Sequence, residues 1–83
     1  MNKPLIVIVE DEEDILDLIE YSLQKEDFET IGFLNSKKLY DVLDEESVDL
    51  IIMDRNLGGG VEGSEVVNSI REDGYNVPVI FLT

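Results

Sequence analysis

With 83 residues the chain has room for one domain and a thin core, because a chain this short buries only about 60–65% of its unfolded surface. Cysteine and histidine are both absent, which excludes disulfides, thiolate or imidazole metal sites, and histidine-based catalysis. Twenty acids against six bases give a net charge of −14, which argues against this segment gripping nucleic acid or an anionic membrane surface.

No apolar run approaches the roughly 20 residues that a membrane span needs. The start, MNKPLIVIVEDEE, lacks the shape of a signal peptide, since acids follow a run of only five apolar residues. The default expectation is a soluble cytoplasmic protein. Leu5-Ile6-Val7-Ile8-Val9 is unbroken and rich in β-branched residues, which predicts a strand buried on both faces. Glu12-Glu13-Asp14 then supplies negative charge where a helix N-terminus favours it. Ile15, Leu18, Ile19 and Leu23 recur at helical spacing, so a helix is expected to about Lys25. Phe28 to Phe33 reads as a second, weaker strand. Ser36 is placed to cap a helix carrying Leu39, Val42 and Leu43 on one face. Leu50 to Met53 is a third apolar strand and runs into Asp54. After a glycine-rich loop, Ser64 is placed to cap a helix with Val66, Val67 and Ile70, ending near Asp73-Gly74. Pro78 opens a fourth strand, Val79 to Leu82, and Thr83 follows.

This β-α-β-α-β-α-β order predicts an α/β fold, a parallel sheet with helices on both faces. Ligands of such sheets bind beyond the carboxyl ends of the strands. Those ends carry Glu10-Asp11, Asp54 and Thr83, while the second strand ends in Phe33-Leu34, which offers no chemistry. If the first and third strands are neighbours, three carboxylates converge. Two carboxylates about 5 Å apart repel by roughly 3 kcal/mol at an effective dielectric near 20, so a proton or a cation must neutralise them. Oxygen ligands with room for water suit Mg²⁺. Asp54 could then act as a nucleophile that forms an acyl phosphate, with a threonine hydroxyl on the added oxygens. Each residue also has a plainer reading: Glu10-Asp11 could begin the first helix, and Asp54 could be a turn residue. The stretch EDEEDILD lacks the glycine of an EF-hand, and no GxGxxG or P-loop lysine is present.

Three motifs, VIVED, LIIMD and VPVIFLT, taken with the element order, resemble the receiver domain of two-component response regulators. The resemblance covers the whole chain. It implies a flavodoxin-like doubly wound sheet of strand order 2-1-3-4-5, of which 2-1-3-4 is present here. It implies that Asp54 is the phosphoacceptor, charged from the phosphohistidine of a sensor histidine kinase. It implies a Mg²⁺ site in which Asp11 is a direct ligand beside Asp54, Glu10 contributes nearby or through water, and Asn56 offers its backbone carbonyl. Thr83 matches the position whose hydroxyl turns toward the phosphoryl group. Such a domain is a switch rather than a turnover enzyme. Many relatives carry a DNA-binding domain for transcription regulation, which would lie outside this segment.

The chain departs from the family pattern in three places. Gly58 stands where proline is usual, the stretch to Gly63 is one residue longer, and the sequence stops before a fourth helix, a fifth strand with its lysine, and a fifth helix. A truncated receiver is therefore expected, with weaker phosphotransfer and with the fourth strand as an apolar edge open to homodimer or edge-strand association. Two other readings compete. One is a pseudo-receiver that binds partners without phosphorylation; the other is a Mg²⁺-dependent phosphatase with an aspartyl nucleophile. Asn56 counts against the phosphatase, because such enzymes usually place a second aspartate there.

Overall fold

The computed structural model describes residues 3–82. Leu5–Val9 forms β1, and every residue of it is buried, as its unbroken apolar run requires. Then follow α1 (Glu13–Lys25), β2 (Glu29–Phe33), α2 (Leu39–Glu45), β3 (Leu50–Asp54), α3 (Gly63–Glu72) and β4 (Val79–Leu82). All three strand pairings are parallel, in the order β2-β1-β3-β4. The first and third strands are indeed neighbours, and the fold is the flavodoxin-like receiver arrangement.

Alternation along the strands divides the core into two layers. Val7, Val9, Ile51 and Met53 point to one face and are buried with Leu39 and Val42 of α2 and Ile70 of α3. Ile6 and Ile8 point to the other, where Leu16 of α1 covers them and Ile19, Leu23, Phe28, Leu50 and Ile52 pack alongside. Among the described residues this second face has one helix against two on the first. Its outer strand positions are accordingly open, and Ile80 of β4 is 54% exposed.

Three expectations about the helices need correction. The buried stripe of α1 is Leu16, Ile19 and Leu23, whereas Ile15 and Leu18 are exposed, Leu18 at 64%. Both sets fit a helical period, and only the position of β1 decides which faces the sheet. Ser36 does not cap α2 with its side chain: α2 starts three residues later, and a turn intervenes in which the Lys37 N–H donates to Asn35 Oδ1 at 3.0 Å. Ser64 lies inside the first turn of α3, whose N-cap is Glu62, and that cap forms no side-chain bond. The first turn of α3 is held instead by the backbone, the Gly63 N–H donating to Arg55 O at 2.8 Å.

Candidate functional site

The strand register brings the site together. Val9 pairs with Met53, so the next residues, Glu10 just past β1 and Asp54 at the end of β3, stand side by side at the carboxyl edge of the sheet. Their parity continues that of Ile6, Ile8, Leu50 and Ile52, which aims both side chains toward the α1 face. Asp11 follows at the bend before α1. Carboxylate oxygens of Glu10, Asp11 and Asp54 all lie within 4.8 Å of one another. They border an open cavity of about 510 Å³, floored by Ile15, Ile19 and Leu82.

The three carboxyls differ in environment. Glu10 is only 4% exposed, while Asp11 is exposed and Asp54 half-buried. Burial pushes the Glu10 carboxyl up from 4.5 to about 7; the Glu12 N–H, which donates to Glu10 Oε2 at 2.9 Å, pulls the other way, and Asp11 and Asp54 push it up further. Asp54 Oδ1 accepts a hydrogen bond from the Asn56 N–H at 3.3 Å, and Asn56 Oδ1 in turn accepts one from the Gly58 N–H at 3.1 Å.

The donor set is all oxygen, and one of its members, Glu10, is pressed toward neutrality by burial and, to a lesser degree, by the other two. A small hard dication that keeps part of its water fits such a set, and the open cavity leaves space for that water. Asn56, at the start of the loop, borders the same cavity. Thr83 lies outside the described residues.

Three features were not foreseen from sequence. The loop after Asp54 is a small hairpin: Leu57 N–H donates to Val61 O and Val61 N–H to Gly58 O, both at 3.0 Å, and Asn56 bridges to Glu62. Buried Leu57 anchors it in the larger core layer. The only available signal was the apolar pair Leu57 and Val61 flanking three glycines. Arg55, on the opposite parity to Asp54, lies over the Phe81 ring at 4.8 Å from its centroid. Gly63 packs directly against the backbone of Asp54, a contact that no local motif announces.

The comparisons with known proteins agree with this geometry. The family model for the response regulator receiver domain matches residues 6–83. The chain belongs to that family, and so to two-component signalling. Among solved structures it is similar to the response regulator TrrA from Thermotoga maritima, a complex with Mg²⁺-BeF, at 30% identity over 96% of this chain and 69% of that one, with a TM-score of 0.84. It is also similar to the N-terminal domain of a response regulator/sensory box/GGDEF three-domain protein from Carboxydothermus hydrogenoformans, at 30% identity over 95% of this chain and 63% of that one, TM-score 0.85. The MaeR response regulator bound to beryllium trifluoride matches at 27% identity over 96% and 66%, TM-score 0.83. The chain spans about half to two thirds of the length of the structures it matches. Among the described residues no helix is long and apolar enough to cross a membrane.

Proposed function

We propose that Asp54 accepts a phosphoryl group from the phosphohistidine of a sensor histidine kinase, at a Mg²⁺ site formed by Glu10, Asp11, Asp54 and the backbone carbonyl of Asn56. The observation that carries this reading is the convergence of the three carboxylates at the carboxyl edge of the sheet. The Asn56 N–H ties one Asp54 oxygen and leaves the other to attack phosphorus. The new bond is an acyl phosphate, and the P–N bond to the kinase imidazole breaks as it forms. Bound Mg²⁺ supplies the positive charge that lets a phosphoryl group approach three carboxyls. Thr83 donates its hydroxyl to the transferred oxygens, as the family resemblance implies.

The protein on this reading is a cytoplasmic switch, with any DNA-binding output domain outside this segment. The intact carboxylate set disfavours a pseudo-receiver. Beryllofluoride with Mg²⁺ is the direct test, because it mimics a phosphoryl group on a carboxylate. At a hundredfold excess over Kd it should raise unfolding stability by about 2.7 kcal/mol. Asp54→Asn should abolish that gain while leaving the fold intact. A folded wild-type protein that shows no gain overturns the reading.

We also propose that the 83-residue chain, taken by itself, pairs along the edge of β4 with a second copy of itself. β4 has a single neighbour among the described residues, and Ile80 presents apolar surface beside it. Light scattering of the 83-residue chain should show a mass that rises with concentration. A constant monomer mass up to millimolar protein would sink this part of the reading.

A further inference from the structure

β2 is an outer strand of the sheet, with β1 as its single neighbour among the described residues. The Glu29 N–H donates to Pro4 O at 2.9 Å, and Phe33 O accepts the Glu10 N–H at 3.0 Å. Backbone groups alternate in direction along a strand, so Glu29, Ile31 and Phe33 turn theirs toward β1, while Thr30 and Gly32 turn N–H and C=O to the free edge. Glu29, at the first position, is the only charge on the strand, which has neither proline nor bulge to guard that edge. Its two faces differ. Toward α1 the strand is covered: Thr30 Oγ1 donates to Glu20 Oε1 at 3.2 Å and accepts from Gln24 Nε2 at 2.8 Å, and Gly32 lies under Leu16 and Glu20. Toward α2 it is open. Ile31, Phe33 and Val42 floor a groove of about 410 Å³, and its rim sets the exposed acids Asp41, Glu45 and Glu46 against one base, Lys38.

We propose that the free edge of β2 takes up an extended, basic segment of a partner protein as an added strand, its backbone paired with Thr30 and Gly32 and its lysine or arginine side chains lying in the groove beside α2. Alternate residues of an added strand face the groove about 6.6 Å apart. Asp41 and Glu45 stand about one helical turn apart, about 6 Å along α2. Two successive groove-facing cations therefore meet two successive acids. The methylene stems of lysine or arginine cover Ile31 and Phe33 while the charged heads reach the rim. The rim acids are free to receive them, since the one ion pair among the described residues joins Lys3 to Asp27. Main-chain bonds supply affinity in this mode, and the acidic rim selects a basic segment over an acidic one. A second copy of this chain, at a net charge of −14, is repelled by the same rim.

The test titrates the full-length protein against a short fluorescein-tagged peptide in which arginine alternates with threonine, with anisotropy for affinity and NMR-detected amide hydrogen exchange at Thr30 and Gly32 for pairing. Bound peptide should slow exchange of both amides by about tenfold or more. Thr30→Pro removes an outward N–H and no bond to β1, a change that edge strands tolerate. It should weaken binding about tenfold, whereas Thr30→Val, which loses the same hydroxyl bonds but keeps the N–H, should stay within about twofold of wild type. The triple variant Asp41→Asn, Glu45→Gln, Glu46→Gln leaves β2 untouched and should also weaken binding about tenfold. Binding that leaves both amides unprotected, or that a folded Thr30→Pro or the triple variant fails to weaken, is nonspecific adhesion to an acidic protein and overturns the proposal. Absence of binding overturns it too. Protection of the two amides in the protein alone as its concentration rises assigns the edge to a second copy, and likewise overturns it.

Discussion

Between pH 5 and pH 8 the metal-free protein should lose about 2.5 kcal/mol of stability that Glu10→Gln does not lose. Burial and the neighbouring carboxyls raise the Glu10 carboxyl from 4.5 to about 7 in the folded protein. The native state therefore keeps this proton over a window in which the unfolded chain has released it. Below about pH 4.5 both states are protonated, and the favourable environment of the neutral acid is fully expressed. As pH rises through 7 the buried carboxyl must ionise beside Asp11 and Asp54, and the advantage disappears. The slope is thus opposite to that of a salt-bridged carboxylate. The wild-type minus Glu10→Gln difference isolates it from the other nineteen acids of the chain. Glutamine keeps an oxygen to accept the Glu12 N–H, so the variant retains the local bond. Urea unfolding at several pH values in the presence of EDTA measures the difference. A flat difference across this range would show that Glu10 ionises like a surface acid. Mg²⁺ should reverse the trend, because it stabilises the ionised cluster and binds only the folded state.

The second large effect is expected at Gly63. A β carbon there would stand 2.8 Å from Met53 Cγ and 3.1 Å from the carbonyl carbon of Asp54, and closer still to the Asp54 carbonyl oxygen. Two of these atoms are backbone at the end of β3, so no rotamer change relieves the collision. Gly63→Ala must instead push the first turn of α3 off the sheet and stretch the Gly63–Arg55 hydrogen bond. Overpacking of this kind costs typically 1–3 kcal/mol, and a backbone contact places this case at about 3 or above. That is a large share of the stability of a small domain. Ser64→Ala is the matching control. Its side chain makes no cap bond, so the urea midpoint should move by less than about 0.5 kcal/mol equivalent, against about 1 for a true cap. A neutral Gly63→Ala would mean that α3 is not seated against Asp54 as the structure has it. Because the contact is with Asp54 itself, beryllofluoride binding should weaken together with stability in this variant.

Much of the architecture was legible in the chain. The unbroken apolar runs of β1 and β3 specified strands buried between layers, and the alternation with helical segments specified parallel pairing. The convergence of Asp54 and Glu10-Asp11 was legible for the same reason, since a strand that ends in an acid delivers that acid to one edge of a parallel sheet. Helix starts were less legible. Ser36 and Ser64 have the chemistry of caps, but Lys38 and Glu62 occupy the cap positions, because the turn at Asn35 and the hairpin at Leu57 fix where the chain can enter each helix.

What the sequence by itself determined are properties of period and order: which segments are strands, which are helices, and which acids end the strands. These depend on neighbours within a few residues, so local pattern carries them. Only the tertiary structure decided that Leu16 rather than Leu18 faces the sheet, that Glu10 is buried while Asp11 is exposed, and that Gly63 sits against the backbone of Asp54. Each of those depends on residues in a different element of the fold. Burial, charge coupling and close approach are set by what lies across the space between elements, and the chain fixes that only when it folds.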